Sequence, residues 1–174
     1  MPYLTCSSCG LPTYVVSEGS CPACGALLRR SAPPAAPRPA GEAEVRAKLR
    51  MAMRELRVNT ALLTEVRDGR EHIRFQAGEG RYVGRSYALR ETVCERLLSG
   101  AIGPVVPDVT AEPALAGVQT GEVRAYIGVP FSAADARAYV LCCLAREARP
   151  DLGDADVRFL QGVAESLRPL LEPS

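Results

Sequence analysis

Apolar residues along this chain follow two periods, and the switches between them mark out the secondary structure. Val45, Leu49, Ala52 and Leu56 recur at near-heptad spacing among arginines and glutamates, which predicts a helix over 42–56. Residues 61–66 and 71–77 read as strands, joined at Asp68-Gly69, a strong hairpin-turn dipeptide. Gly78, Gly80 and Gly84 mark a loop over 78–84 that a short strand can follow. Helical spacing returns over 89–98, with Gly100 in the stop position. A short strand over 104–109 and a helical turn over 111–116 come next. Residues 123–131 and 138–145 then pair as a hairpin around 132–137. The last helix, over 154–168, carries Val157, Leu160, Val163, Ala164 and Leu167 on one face, Asp154 as its expected cap and Pro169 at its end. Helix, strands, helix, strands, helix is the order of an α+β domain with helices packed on an antiparallel sheet.

Before residue 42 this periodicity is missing. Residues 31–41 (SAPPAAPRPAG) are almost all proline, alanine and glycine, the composition of a semi-rigid linker. Residues 1–30 hold Cys6-Ser-Ser-Cys9-Gly10 and Cys21-Pro22-Ala23-Cys24-Gly25. Two intervening residues let both thiolates of such a turn reach one metal. Four thiolates fill a tetrahedral Zn²⁺ site and leave no open position, so one structural zinc per chain is expected at Cys6, Cys9, Cys21 and Cys24. A small zinc ribbon follows, with Thr13–Val16 supplying strand residues and the metal supplying most of the folding free energy. Two separate redox pairs, or iron in a rubredoxin-like site, are the alternatives; a short Cys9–Cys21 span and few aromatics weigh against iron. The chain thus divides into a ribbon (1–30), a linker (31–41) and a main domain (42–174).

Composition narrows the partners. Of 174 residues, 47% are hydrophobic and 24% charged, as in a soluble globular protein, and the formal net charge is +1. That balance gives no general field for nucleic acid or an anionic membrane. Near the ribbon only Arg29 and Arg30 could touch a phosphate backbone, so a protein-docking or structural ribbon is expected over a nucleic-acid reader. The opening residues lack the pattern of a secretion signal, and the longest apolar run, Ala138–Ala145, is too short to cross a bilayer. A cytoplasmic, reducing location without membrane contact is therefore expected, where seven cysteines serve as metal ligands or free thiols.

From residue 90 onward the chain resembles GAF domains, the small-molecule sensor modules of bacterial signalling proteins. Glu91-Thr92-Val93-Cys94-Glu95-Arg96-Leu97-Leu98 before Gly100 is similar to their central helix. Pro104-Val105-Val106-Pro107-Asp108-Val109 with Glu112-Pro113 resembles a family strand and turn. Ala125-Tyr126-Ile127-Gly128-Val129-Pro130-Phe131 and Leu141-Cys142-Cys143-Leu144 resemble two more strands, and Asp154-Ala155-Asp156-Val157 the start of the last helix. The resemblance implies a GAF-like fold over most of 42–172. The chain departs from the family at Ala134–Val140, where the hairpin is short, a glycine is missing and Val140 would narrow a ligand pocket. The NKFDE-type signature of cyclic-nucleotide-binding members and the cysteine-histidine neighbourhood of bilin-binding members are absent.

The candidate pocket residues are Tyr126, Asp108, Cys94 and Cys142. Tyr126 offers a stacking surface with a polar tip on the face it shares with Arg124. Asp108 either orients a ligand from the rim or caps the 111–116 turn. Cys94 lies mid-helix facing the sheet. Adjacent Cys142 and Cys143 point to opposite faces of their strand. Each thiol reads as a small buried hydrophobe or as a redox centre. Free methionine sulfoxide reductases share the GAF fold, but their glycine-valine-cysteine-glycine motif is absent, so catalysis is not expected. His72, the one histidine, has no partner for a metal or catalytic role and reads as an edge-strand residue.

The expected function is a non-enzymatic signalling sensor or adaptor. Its GAF-like domain would answer a small molecule or redox cue, its ribbon would dock, and a partner protein would supply the output. A ligand-free dimerisation scaffold and a thiol redox enzyme or sensor at Cys94 or Cys142 are the alternatives. The terminal helices can build a homodimer or pair within one chain to cover the sheet.

Overall fold

The computed structural model describes residues 41–133 and 137–171, together with the short strands β1 (Tyr3–Thr5) and β2 (Pro12–Tyr14). The chain divides into two compact units, Met1–Arg38 and Pro39–Ser174. In the first, β1 and β2 pair antiparallel, with Tyr3 opposite Tyr14. The four expected zinc ligands, Cys6, Cys9, Cys21 and Cys24, lie outside the described residues, as do linker residues 31–40 and the hairpin tip 134–136.

The second unit is a six-stranded antiparallel sheet with its two long helices on one face and a short one on the other. After α1 (Glu42–Glu55), strands β3 (Thr60–Arg67) and β4 (Arg70–Gly78) form a hairpin. Asp68 (φ 53°) and Gly69 (φ 67°) form its two-residue turn, the left-handed pair that suits strand twist. The short β5 (Ser86–Ala88) precedes a 3₁₀ turn over Leu89–Glu91 and α2 (Val93–Leu98). β6 (Val105–Val106), a 3₁₀ turn over Pro113–Leu115, β7 (Ala125–Ser132), β8 (Ala138–Ala145) and α3 (Asp154–Leu167) complete it. The strand order is β5-β4-β3-β8-β7-β6, with every recorded pairing antiparallel.

Strand alternation divides the core in two. Ala61 and Leu63 on β3, Ile127 and Val129 on β7, and Leu141 and Cys143 on β8 pack under the helices. The α1 stripe at Val45, Leu49 and Ala52 and the α3 stripe at Leu160, Val163 and Leu167 lie in that same cluster, so both cover the sheet within one chain. The opposite face carries Leu62, Tyr126, Val140 and Cys142, packed with Cys94, Ile102, Val106 and Leu115 from the segment between β5 and β7.

β4 obeys this division only because it is bulged. Leu63 pairs with Phe75 and Thr64 with Ile73, leaving Arg74 as an extra residue. Phe75 and Ala77 therefore join the helix-side core, whereas Ile73 joins the other. Arg74 is ion-paired with Glu65, which is 1% exposed.

Four expected elements differ. The helix over 89–98 is broken at Thr92 (φ −111°, ψ 157°), whose hydroxyl oxygen accepts the Glu95 N–H at 3.3 Å and starts α2 afresh. The strand over 104–109 shortens to β6, because Pro107 has no N–H to continue the ladder. The strand expected from residue 123 begins at Ala125, because the Val123 N–H turns back to Thr120. α3 is capped by Gly153, not Asp154; the Asp156 carboxylate accepts the Gly153 N–H at 2.9 Å.

Candidate functional site

On the face away from α1 and α3, the sheet and the segment above it enclose a cavity of about 910 Å³. Leu62 on β3, Ile73 on β4, Tyr126 on β7 and Cys142 and Leu144 on β8 form its floor. Thr92, Val93 and Cys94 at the start of α2 cover it, with Tyr82 and Tyr87 on one side. Exposed Glu79, Gln119, Gly121 and Glu122 bound the mouth.

The loop at that mouth is tied to β4 by one side chain. The Gln76 amide donates to the carbonyls of Glu79 (2.8 Å) and Gly80 (2.9 Å), and its oxygen accepts the Tyr82 N–H at 2.9 Å. Thr60 adds a hydroxyl bond to the Glu79 carbonyl at 3.0 Å. Those bonds hold Tyr82 at the cavity wall.

A polar cluster sits at the deep end. Cys94 Sγ donates to Glu71 Oε1 at 3.3 Å and lies 3.5 Å from Tyr126 Oη. Because the thiol has one proton and gives it to Glu71, the tyrosine hydroxyl is the donor to sulfur. Glu71 is 5% exposed, and burial raises its carboxyl above the usual range against the lowering influence of Thr92, Cys94 and Thr64. Cys94 is pushed well up by its contact with the Cys142 thiol and by burial. For Cys142 the bond with Cys94 works downward, but burial and the nearby Glu71 and Cys143 outweigh it. Burial, followed by Cys94 and Cys142 and then Glu71, also holds the Tyr126 hydroxyl far above its usual value. Both thiols and the phenol therefore stay protonated at neutral pH.

Three of the four candidate pocket residues, Cys94, Tyr126 and Cys142, meet in this cluster. Asp108 does not line the cavity. Its carboxylate accepts the Arg124 guanidinium (2.9 Å) and the Thr110 hydroxyl (2.7 Å), which hold it well below the usual carboxylate range. Nor does it cap the turn over Pro113–Leu115, where Glu112 accepts the Ala114 N–H at 3.1 Å. Arg124 precedes β7 and is exposed, so it does not accompany Tyr126 inward. Val140 is fully buried on the cavity side without lining the cavity. Cys143 faces the helices, and burial alone pushes its thiol up to about 12. His72 pairs with Ser86 and Glu65 and is half-buried outside the cavity.

Glu71, Thr92, Tyr82 and Tyr87 are cavity residues that the motif reading missed. A signal for Glu71 is present: it falls in step with Ile73, Phe75 and Ala77, at a position where a strand buries its side chains.

No family model matches the chain, and no curated protein matches it. The fold does match solved structures. The cyanobacteriochrome receptor PixJ superposes with a TM-score of 0.58 at 12% identity, over 75% of this chain and 94% of that one. The GAF domain of an Acinetobacter phosphoenolpyruvate-protein phosphotransferase gives 0.57 at 14% identity, over 76% and 87%. Free methionine-R-sulfoxide reductase from Neisseria meningitidis, solved with its substrate, gives 0.59 at 16% identity, over 74% and 75%. At these identities the likeness establishes the fold, which is GAF-like.

Proposed function

We propose that this chain is a non-enzymatic sensor or adaptor whose GAF-like domain binds a small molecule in the cavity over β3, β7 and β8. The observation that carries this reading is the cavity itself. Its volume of about 910 Å³ falls within the ~300–1,000 Å³ usual for small-molecule sites, and its apolar floor has a few converging polar groups. A ligand-free scaffold would have that space filled. The thiol-enzyme reading is weakened because contact with Cys142 and burial keep Cys94 protonated and burial keeps Cys142 so, whereas the thiolate is the nucleophile.

In this reading Cys6, Cys9, Cys21 and Cys24 hold one structural Zn²⁺, and the ribbon docks a partner protein that supplies the output in the cytoplasm. Ligand binding acts on that partner only if the ligand has different affinity for two states of the domain.

Native mass spectrometry of the full chain, with metal content read on the same sample, tests the proposal. The expected result is one zinc per chain, released by a chelator, and a bound or titratable ligand of a few hundred daltons. Zinc-free protein overturns the ribbon. Failure of a broad small-molecule library to bind overturns the sensor.

A further inference from the structure

We propose that the cavity takes an organic ammonium with an apolar body, its charged nitrogen directed to Glu71 and its body against the tyrosines. This rests on the cavity being a binding site and adds the class of its ligand.

Glu71 has surroundings that a buried acid seldom has. A carboxyl that is 5% exposed normally has a cation against it, since a buried ionised carboxylate is otherwise very unfavourable. Here the group bonded to it is the neutral Cys94 thiol, at 3.3 Å, and the side chains of Thr92 and Thr64 that act on it are neutral as well. Among the described residues, the one cationic side chain lining the cavity is Arg146, at the mouth. Its guanidinium is already spanned by Glu79 at 3.0 Å and Glu122 at 3.1 Å. A phosphate or carboxylate entering this space would meet carboxylates without an unengaged cation. An ammonium would meet the opposite: a buried acid whose missing counter-charge it supplies.

The walls point the same way. Three of the six tyrosines in the sequence line this one cavity, Tyr82, Tyr87 and Tyr126. Aromatic rings attract cations through their quadrupole, and more strongly where water is excluded. They also bury an apolar body well. Leu62, Ile73 and Leu144 extend that apolar surface.

Three probes of nearly equal shape isolate the charge: phenethylammonium, 2-phenylethanol and phenylacetate, titrated calorimetrically into the full chain at neutral pH. Phenethylammonium is expected to bind at least roughly tenfold tighter than the alcohol, with phenylacetate weakest. The near-isosteric Glu71→Gln should remove that preference, bringing phenethylammonium to within about threefold of 2-phenylethanol, with its thermal melt reporting that the fold is kept. Equal binding of the three probes, or an unchanged preference in Glu71→Gln, overturns the ammonium and leaves the cavity standing as a site. If neither the ammonium nor the alcohol binds at millimolar concentration, and indole also fails, the cavity is no binding site and both proposals fall.

Discussion

Gly128 is the position at which the packing of the cavity floor can be tested most sharply. It sits on β7 opposite Cys142, two residues from Tyr126, and its bare Cα leaves room for the tyrosine ring. A Cβ built there would lie 2.7 Å from Tyr126 Cζ and 2.8 Å from Cε1, and it would also collide with the hydroxyl. Ordinary contact begins at 3.4 Å, so the ring must retreat by roughly 0.7 Å. Tyr126 is 1% exposed, and retreat takes its hydroxyl away from Cys94. Gly128→Ala should therefore destabilise the domain by about 1–3 kcal/mol, the usual range for overpacking. Urea unfolding followed by far-ultraviolet circular dichroism measures this directly. The decisive form is a double-mutant cycle with Tyr126→Leu, which shortens the side chain that the added methyl would strike. On the Tyr126→Leu background, Gly128→Ala should be neutral, or even stabilising by about 0.4–1 kcal/mol, because alanine restricts the unfolded chain. Equal losses in both backgrounds would refute the clash and, with it, the placement of the Tyr126 ring over Gly128.

Three further predictions concern the acid, the buried thiols and the helix start around the cavity. Because burial raises the Glu71 carboxyl from its usual 4.5, the folded state holds that proton longer than the unfolded one. The domain should lose stability as pH rises from about 4.5 through the folded-state value, and unfolding titrations of Glu71→Gln should lack this component. Cys94, Cys142 and Cys143 should alkylate far more slowly than an unhindered thiol near neutral pH and react fully in denaturant, as peptide mapping after iodoacetamide would report; fast native labelling of Cys94 would revive a thiol-based function. Thr92→Ala removes the oxygen that accepts the Glu95 N–H and should cost about 1 kcal/mol in the same urea assay, with Thr92→Ser largely retaining it.

Most of the architecture was legible because its central strands are short apolar runs bounded by turn residues. β7 and β8 send alternate residues to the two cores, so adjacent Cys142 and Cys143 separated as the alternation required. The stripes on α1 and α3 were equally clear, but one stripe serves a dimer or an intramolecular cover alike. Within one chain both stripes pack on the sheet. Local chemistry caused the boundary errors. Thr92 binds the helix start better than it continues a helix, and Asp156 reaches back to Gly153 from the third helical position, so the cap falls one residue before the expected Asp154.

The candidate site was half legible for a more instructive reason. Cys94, Tyr126 and Cys142 lie on three elements that the sequence located, and topology brings them together. Asp108 looked equally suited, but a carboxylate that can close onto Thr110 and Arg124 satisfies itself outside the cavity. Glu71 went unnoticed for the opposite reason. In an unbroken β4 it would share a face with Phe75 and Ala77, under the helices. The extra residue at Arg74 reverses the strand's facing at that point, sending Glu71 and Ile73 into the cavity. At that point Arg74 meets Glu65, a charge at a buried position of β3. Their ion pair accommodates both the bulge and the buried Glu65 carboxylate. One irregular residue, supported by one ion pair, thus decides whether the cavity has an acid at its floor.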